Sequence, residues 1–259
     1  MLELYHFYGA TCGLKARLAV NEKGLDVNDR AVERSYLKTR EYLALNPNGL
    51  VPTLVHDGHV LTESTIIINY LDDLSRERPL KPAGALGVAR ALWWMKRADE
   101  CLPMIGILTY TVSMRPGLRQ LDAAGLRLYL DSIASVALRT RRARIIELGY
   151  ANEEFHAALV GLRSMLTNME ESLSRNAWLA GSDYSLADTA MTPLVQRLGE
   201  LDVADLFCAE RPRLNDWWDR IRTRPSYTMC VEDKPNPDAA QHRRYGTEAR
   251  KEISRALTD

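Results

Sequence analysis

The chain has 259 residues, of which 46% are hydrophobic and 26% charged, and its 34 basic and 34 acidic side chains give a formal net charge of +0. That apolar content supports a sizeable core and excludes a globally disordered chain, while the length fits one large domain or two small ones. The neutral balance gives no basis for a nucleic-acid or anionic-membrane partner. The longest apolar stretch, at residues 102–112, is too short to span a bilayer.

The N-terminal part of the chain alternates between strand-like and helix-like hydrophobic patterns. Turn signals separate the elements, among them Gly24, the Asn-Pro-Asn-Gly run at 46–49 and Asp57-Gly58 between two short β-rich runs. The predicted elements are, in order, a strand at 3–7, a helix at 13–23, a strand at 27–33, a helix at 36–45, strands at 53–56 and 59–62, and a helix from 62–64 to about 74. Because this order mixes hairpins with crossovers, we expect a mixed sheet covered by helices.

Beyond a linker rich in proline, glycine and charge at 76–87, the pattern is helical almost throughout. Apolar residues from 155 to 173 recur at spacings of four and three, which predicts a bundle core. Ser185 and Asp188 have the spacing of a helix capping box. The arginines at 139, 141, 142 and 144 are interpreted as a solvated helix face. The segment after Lys234 is expected to be a mobile arm or a short surface helix.

Cys12 lies where the first predicted strand passes into the first helix. A thiol in the first turn of a helix faces unpaired N–H groups and the positive end of the helix dipole. Both favour an anion, either the thiolate of Cys12 itself or a thiolate that a ligand brings. The alternative is a small buried cysteine under the strand. The four cysteines are widely spaced and form no CxxC or Cys/His cluster, so we expect no metal site and no disulfide framework, and reduced thiols in the cytosol.

Four motifs in this order resemble the cytosolic glutathione transferase family: "YGATCGLKARLA", "NPNGLVPTL", "TES" and "AGSDYSLAD". The first is similar to zeta-type isomerases and glutathione-dependent reductive dehalogenases, and the middle segment to dehalogenases and bacterial β-aryl etherases. Ala10 departs from the family, since dehalogenases have serine there. The resemblance implies an N-terminal thioredoxin-like domain at 1–78, a linker at 79–88, an all-α bundle domain at 89–235 and a C-terminal tail at 236–259.

The resemblance also implies how the tripeptide glutathione is held. A cis Val51-Pro52 bond would leave the backbone of Leu50 and Val51 free to pair with glutathione as an added strand. Ser64 and the N–H groups of its helix would bind the γ-glutamyl carboxylate, and Glu63 the γ-glutamyl amine. The glycyl carboxylate needs a cation, for which Lys38 is the first candidate and Arg40 the second; a plain helix cap and solvated cations are the alternatives.

Catalysis in this family requires glutathione as a thiolate. Thr11 is positioned to donate its hydroxyl to that sulfur, and Cys12 either donates weakly or acts as a nucleophile itself. A donating Cys12 predicts substitution, in which the thiolate displaces a leaving group. An attacking Cys12 predicts a mixed disulfide and a reduced product, as in the dehalogenases.

The acceptor pocket is expected between the domains, with Tyr8, Trp94, Met104 and Leu108 as its first candidates and Tyr110 and Met114 as further ones, although core packing also explains most of them. The function predicted first is a glutathione transferase acting on a hydrophobic, aromatic ether or halide. Reductive dehalogenation, zeta-type cis–trans isomerisation and non-catalytic glutathione binding are the alternatives. A cytoplasmic homodimer acting in detoxification or aromatic degradation is expected from the resemblance.

Overall fold

Four strands near the N-terminus form one mixed sheet in the computed structural model, which describes residues 1–133 and 135–258. The strands are β1 (Leu2–His6), β2 (Asn28–Ala31), β3 (Thr53–His56) and β4 (His59–Leu61). Their order is β2-β1-β3-β4; β1 runs parallel to β2, and the two other pairs are antiparallel. The predicted mixed sheet is therefore confirmed.

Three helices belong to the same part of the chain: α1 (Thr11–Lys23), α2 (Arg40–Leu45) and α3 (Ser64–Asp73). Gly24 ends α1 in the left-handed conformation, at φ 63°. The predicted helix at 36–45 is two elements, a 3₁₀ turn at Tyr36–Lys38 followed by α2. The break lies at Thr39, whose hydroxyl accepts a hydrogen bond from the N–H of Tyr42 and caps α2.

The rest of the chain is helical, as the apolar spacing predicts. Its helices are α4 (Gly84–Thr109), α5 (Arg115–Leu118), α6 (Ala123–Asp131), α7 (Val136–Leu148), α8 (Glu153–Leu173), α9 (Leu186–Glu200), α10 (Ala204–Cys208), α11 (Pro212–Arg222), α12 (Pro225–Tyr227) and α13 (Ala239–Thr258). Wider π-helical turns follow α4 at Tyr110–Met114 and α12 at Thr228–Glu232. No helix in the described ranges combines the length and the apolar character that crossing a bilayer requires.

Two sequence-based expectations for this region are corrected by the structure. α4 begins at Gly84, inside the segment predicted as a linker. The segment after Lys234 contains a helix of 20 residues, α13, rather than a mobile arm or a short surface helix. His242, Gly246, Ala249 and Ile253 are its buried residues, at the spacing of one helix face.

The chain forms two compact units. The first comprises Met1–Asp99, Met169–Pro193 and Arg211–Pro237, and its core contains Leu4, Leu54, Ile67, Leu71 and Trp217. The second comprises Glu100–Asn168, Leu194–Glu210 and Asp238–Asp259, and its core contains Leu108, Phe155, Leu162, Phe207 and Ile253. The apolar face predicted along α8 is buried over its whole length, with Phe155, Leu159, Leu162, Leu166 and Met169 each at 0% exposure.

The predicted capping box at the start of α9 is present. The backbone N–H and the hydroxyl of Ser185 both donate to the Asp188 carboxylate, each at 3.0 Å. The same carboxylate accepts from the N–H of Leu179 at 3.0 Å and from the indole N–H of Trp217 at 2.8 Å. Asp188 thus joins three separate segments of the first unit around one buried anion.

Candidate active site

Cys12 occupies the first turn of α1, directly after Thr11, and both side chains are half-buried. Ala10 is the N-cap residue and provides no side-chain hydrogen bond to the helix. An alanine has no acceptor for the first N–H groups of α1, which therefore stay available to an anion. The helix N-terminus expected from the sequence is thus formed, with an alanine as its N-cap residue.

The Cys12 side chain is not itself favoured as a thiolate, which leaves a thiolate brought by a ligand as the anion at this helix start. Burial raises the pKa of Cys12 above its usual value; the Lys15 cation and the Ser64 side chain act in the opposite direction. The carboxylates of Asp99 and Glu63 add to the rise in the pKa of Cys12. Loss of hydration and two acidic neighbours therefore outweigh the effects of Lys15 and Ser64, and the thiol keeps its proton at neutral pH.

Lys15, one turn after Cys12, is a buried cation close to the thiol that the sequence analysis did not identify. It is 1% exposed, and its ammonium donates to Thr65 and to the Asp99 carboxylate, both at 3.0 Å. The Thr65 hydroxyl also donates to Asp99, at 2.6 Å. Lys15 could have been found from the sequence, because residues three apart in a helix lie on the same face. Nothing in the local sequence indicates Asp99, which lies far along the chain.

Glu63 and Ser64 begin α3 as the sequence predicts, with Ser64 buried and Glu63 exposed. Glu63 has φ 66° and ψ 110° and, as N-cap, makes no side-chain hydrogen bond to the helix. A residue other than glycine with positive φ is costly and is retained where surrounding structure holds it. The start of α3 therefore presents N–H groups and the Ser64 hydroxyl, and the Glu63 side chain does not cap these N–H groups, which suits a carboxylate ligand.

The Val51–Pro52 peptide bond is cis, as the resemblance implies. Val51 lies two residues before β3 begins, and the pairing of β3 with β1 ends at Thr53 opposite Tyr5. The preceding Leu50 is 56% exposed, and its carbonyl accepts hydrogen bonds from the Tyr42 hydroxyl at 2.6 Å and the Asn46 amide at 2.9 Å. These two polar side chains, missed by the sequence analysis, hold the segment in place.

Lys38, the candidate for the glycyl carboxylate, is exposed at the end of the 3₁₀ turn, and Arg40 is exposed at the start of α2. An open groove of about 420 Å³ lies beside this turn. Its lining residues are Val32, Glu33, Ser35, Tyr36 and Thr39. Lys38 does not line the groove but belongs to the same turn.

The acceptor candidates have different surroundings. Trp94 and Leu108 are 4% and 0% exposed, which fits core packing. Met104 is half-buried, and its sulfur lies 2.5 Å from the position that a Cβ on Gly161 would take. Tyr8 is half-buried, with the Arg17 guanidinium 4.7 Å from its ring centre. Of these four residues, Tyr8 is the one near the Cys12 turn in sequence.

The protonated state of Cys12 leads to a test. Iodoacetamide reacts with thiolates, so at about pH 7.5 we expect Cys12 to be alkylated at least ~10-fold more slowly than free glutathione. Lys15→Met is expected to slow the reaction further, because the Lys15 cation lowers the pKa of Cys12. Peptide mass spectrometry measures the rate at Cys12 alone, with Lys81→Met, a lysine paired with Asp73, as the control. Alkylation as fast as that of glutathione would contradict a raised pKa.

The glutathione S-transferase N-terminal domain matches residues 4–79, and the glutathione S-transferase C-terminal domain matches residues 130–225. Protein LigF of Sphingobium sp. (strain NBRC 103272 / SYK-6) is 30% identical over 251 residues, covering 92% of this chain and 95% of LigF. The tetrachloro-p-hydroquinone reductive dehalogenase of Sphingobium chlorophenolicum is 28% identical, covering 87% of this chain and 94% of its own.

Among solved structures, the beta-etherase LigF from Sphingobium sp. strain SYK-6 is similar with a TM-score of 0.79 and 25% identity. That match covers 90% of this chain and 99% of LigF. The thioredoxin-like sheet with its helices, the helical second half and the Thr11–Cys12, Val51–Pro52 and Glu63–Ser64 turns are all present in one chain. The chain therefore belongs to the glutathione S-transferase family.

Proposed function

We propose that the chain is a glutathione transferase that activates the thiol of glutathione for attack on a hydrophobic aromatic ether or halide. The observation that carries this proposal is the position of Cys12, half-buried in the first turn of α1 directly after Thr11, with a pKa that burial raises. A protonated thiol beside the Thr11 hydroxyl is a donor and not a nucleophile. The attacking thiolate then comes from glutathione.

Each part of glutathione has a proposed partner in the chain. The uncapped start of α3 and the Ser64 hydroxyl take the γ-glutamyl carboxylate, and Glu63 takes its amine. The backbone of Leu50 and Val51, beside Pro52, pairs with the cysteinyl part, because the sheet pairing stops before these residues. Lys38, with Arg40 as the second choice, takes the glycyl carboxylate.

In this proposal Thr11 and Cys12 donate hydrogen bonds to the glutathione sulfur, and the free N–H groups at the start of α1 add positive potential. Each unit by which the thiol pKa falls corresponds to about 1.4 kcal/mol of thiolate stabilisation. Ala10 provides no competing cap, so these donors remain available. The relatives support an aromatic acceptor, since one is named a beta-etherase and another a tetrachlorohydroquinone dehalogenase.

A second candidate function is reductive dehalogenation, favoured by the Lys15 cation, which lowers the pKa of Cys12. In that reaction the Cys12 thiolate attacks the sulfur of a glutathionyl–aromatic intermediate. The carbon–sulfur bond breaks, the carbon takes a proton, and a mixed disulfide forms between Cys12 and glutathione. The thiolate of a second glutathione then attacks the glutathione sulfur of the mixed disulfide. This step releases the Cys12 thiolate and forms oxidised glutathione.

Single-turnover mass spectrometry separates the two functions. Wild type, Cys12→Ala and Thr11→Ala each react with glutathione and a β-aryl ether, a chlorohydroquinone or a chloronitrobenzene. We expect Thr11→Ala to slow conjugation about 10-fold, as the loss of one donor raises the thiol pKa by about one unit. Cys12→Ala is expected to complete conjugation, with a smaller loss of rate than Thr11→Ala shows.

The other outcomes decide against the substitution reaction. Accumulation of a glutathionyl–aromatic product only in Cys12→Ala, with a Cys12–glutathione disulfide in wild type, would establish the reductase function. Binding of glutathione without turnover of any acceptor would contradict both enzymatic functions and support a non-catalytic protein. Asp183→Asn, an exposed substitution away from these turns, controls for general effects of substitution.

A homodimer in the cytosol, with a role in detoxification or aromatic degradation, is part of the same proposal. Three apolar side chains of α4, Leu86, Leu92 and Trp93, are 66%, 48% and 45% exposed and support association through this helix.

A further inference from the structure

The arginines of α7 do not all form the solvated face that the sequence suggests. Arg141 and Arg144 are exposed and pair with Glu154, at 3.1 Å and 3.5 Å. Arg139 donates to a backbone carbonyl through two nitrogens, at 3.2 Å and 3.1 Å. Arg142 is half-buried instead, and no carboxylate within the described ranges forms an ion pair with it. One cation of the run therefore lies inside the second unit without an anionic partner.

Two tyrosines surround Arg142. Its guanidinium lies over the face of the Tyr110 ring, and Tyr129 is close enough to Tyr110 and Arg142 for the three groups to affect one another's pKa. Both tyrosines are half-buried. A guanidinium stacked on a ring keeps its edge N–H groups free, because stacking uses the face of the cation. The cluster therefore combines a cation with two phenolic hydroxyls.

The three residues come from three rigid elements. Tyr110 opens the π-helical turn after α4, Tyr129 lies near the end of α6, and Arg142 lies in the middle of α7. Each of the two α-helices has its own N-cap: Asp122 accepts from the N–H of Gly125 at 2.7 Å, and Ser135 accepts from that of Leu138 at 3.3 Å. The relative positions of the charge and the hydroxyls are thus set by capped secondary structure.

At neutral pH the cluster of Arg142, Tyr110 and Tyr129 carries a net positive charge, as a site for an anion requires. Burial lowers the pKa of Arg142 to about 10, against an opposing effect of the two tyrosines, and Arg142 remains a cation. Burial raises the pKa of Tyr129, so that its hydroxyl keeps its proton. A half-buried cation without a counter-ion has lost part of its hydration. An anion brought by a ligand compensates for this loss by pairing with the cation.

We propose that Arg142, Tyr110 and Tyr129 bind the oxyanion, a phenolate or a carboxylate, of the aromatic acceptor. The planar guanidinium donates two parallel hydrogen bonds to such a group, and a tyrosine hydroxyl donates a third. The identification of this ligand as the acceptor rests on the proposed transferase function; the oxyanion site itself does not.

Isothermal titration calorimetry of the full chain without glutathione tests the site. The probes are benzoate for a carboxylate, 4-nitrophenolate for a phenolate, and benzamide as the neutral aromatic of similar size. We expect at least one of the two anions to bind wild type ~10-fold or more tightly than benzamide, and the preferred anion identifies the source of the oxyanion. Equal affinity for all three probes would overturn the proposal.

Variants assign the effect to Arg142. Arg142→Gln is expected to lose the preference for the anion, and Arg142→Lys to keep part of it, since a lysine retains the charge without the planar fork. Arg144→Gln, an exposed arginine of the same helix, is the matched control and should bind as wild type does. Circular dichroism and Tm confirm that each variant is folded. Should Arg142→Gln not fold, Tyr129→Phe replaces it and is expected to weaken anion binding severalfold. Retention of the full preference in a folded variant would overturn the proposal.

A kinetic arm links the site to the acceptor. For an acceptor with a free carboxylate, Arg142→Gln should raise KM about 10-fold with a small change in kcat, and for its methyl ester neither constant should change. The same rise in KM for both acceptors would overturn the link to the oxyanion. If no acceptor turns over while the anion preference and its loss in Arg142→Gln are observed, the transferase function fails and the oxyanion site stands.

Discussion

Replacing Asp188 with alanine is expected to lower the free energy of unfolding by about 3 kcal/mol or more. The carboxylate is 0% exposed and accepts four hydrogen bonds, from two backbone N–H groups, the Ser185 hydroxyl and the Trp217 indole. Alanine leaves all four donors buried without an acceptor, and each such donor costs about 1–3 kcal/mol before the site relaxes. The substitution also removes the packing volume of the side chain.

Urea unfolding at fixed protein concentration measures this effect, with Tm as a second readout. We expect a fall in Tm of roughly 6–12 °C, because a loss of about 1 kcal/mol lowers the Tm of a chain of this size by about 2–4 °C. Trp217→Phe removes a single donor and should cost about 1 kcal/mol. Asp183→Asn changes an exposed aspartate shortly before α9; it is the control and should stay within about 0.5 kcal/mol of wild type. An unchanged urea midpoint for Asp188→Ala would show that the carboxylate is not a structural centre.

The sequence predicts the parts of the fold that local patterns determine. The strands at 53–56 and 59–61 have β-rich runs joined by Asp57-Gly58, and both turn residues have positive φ, at 48° and 83°. The buried face of α8 follows from apolar spacing alone. The capping box of Ser185 and Asp188 is a matter of residue type at a fixed spacing.

Elements decided by tertiary contacts are harder to predict. α13 carries few apolar residues, and the face that it buries contains His242 and Gly246. A histidine is buried there because Ser113, more than a hundred residues earlier, hydrogen-bonds its ring at 2.6 Å. Local periodicity contains no information about such a partner, so the helix could not be distinguished from a charged tail.

The same limit applies to the candidate active site. The three turns of the site follow from sequence motifs, and the structure forms all of them. The state of Cys12 does not follow, because the rise in its pKa comes from burial and from acidic neighbours that include Asp99. Lys15 is only 1% exposed although lysines usually lie at the surface. Its ammonium donates hydrogen bonds to Asp99 and Thr65, which replace bonds to water. Local motifs thus predict where the site lies, whereas residues far apart in sequence determine its electrostatics.

Gly246→Ala is expected to displace α13 and to destabilise the second unit by about 1–3 kcal/mol. A Cβ at this position would lie 1.6 Å from the carbonyl oxygen of Leu201 and 2.5 Å from its carbonyl carbon. Those atoms are backbone at the end of α9, so they do not move aside as a flexible side chain does. The helix must shift, and with it the contacts of His242 with Ser113 and of Arg250 with Asp205.

Limited proteolysis and Tm measure the consequence for α13. Cleavage within residues 239–258 should become faster in Gly246→Ala than in wild type, because a helix that no longer packs opens more often. Gly199→Ala is the matched control: apart from its chain neighbours and the backbone of its own helix, no heavy atom lies within 4 Å of its new Cβ. Gly199 also belongs to a helix of the second unit. There alanine should be neutral or slightly stabilising, since it is a better helix former than glycine. If Gly246→Ala matches wild type in both Tm and cleavage rate, α13 does not pack against Leu201 as closely as the structure shows.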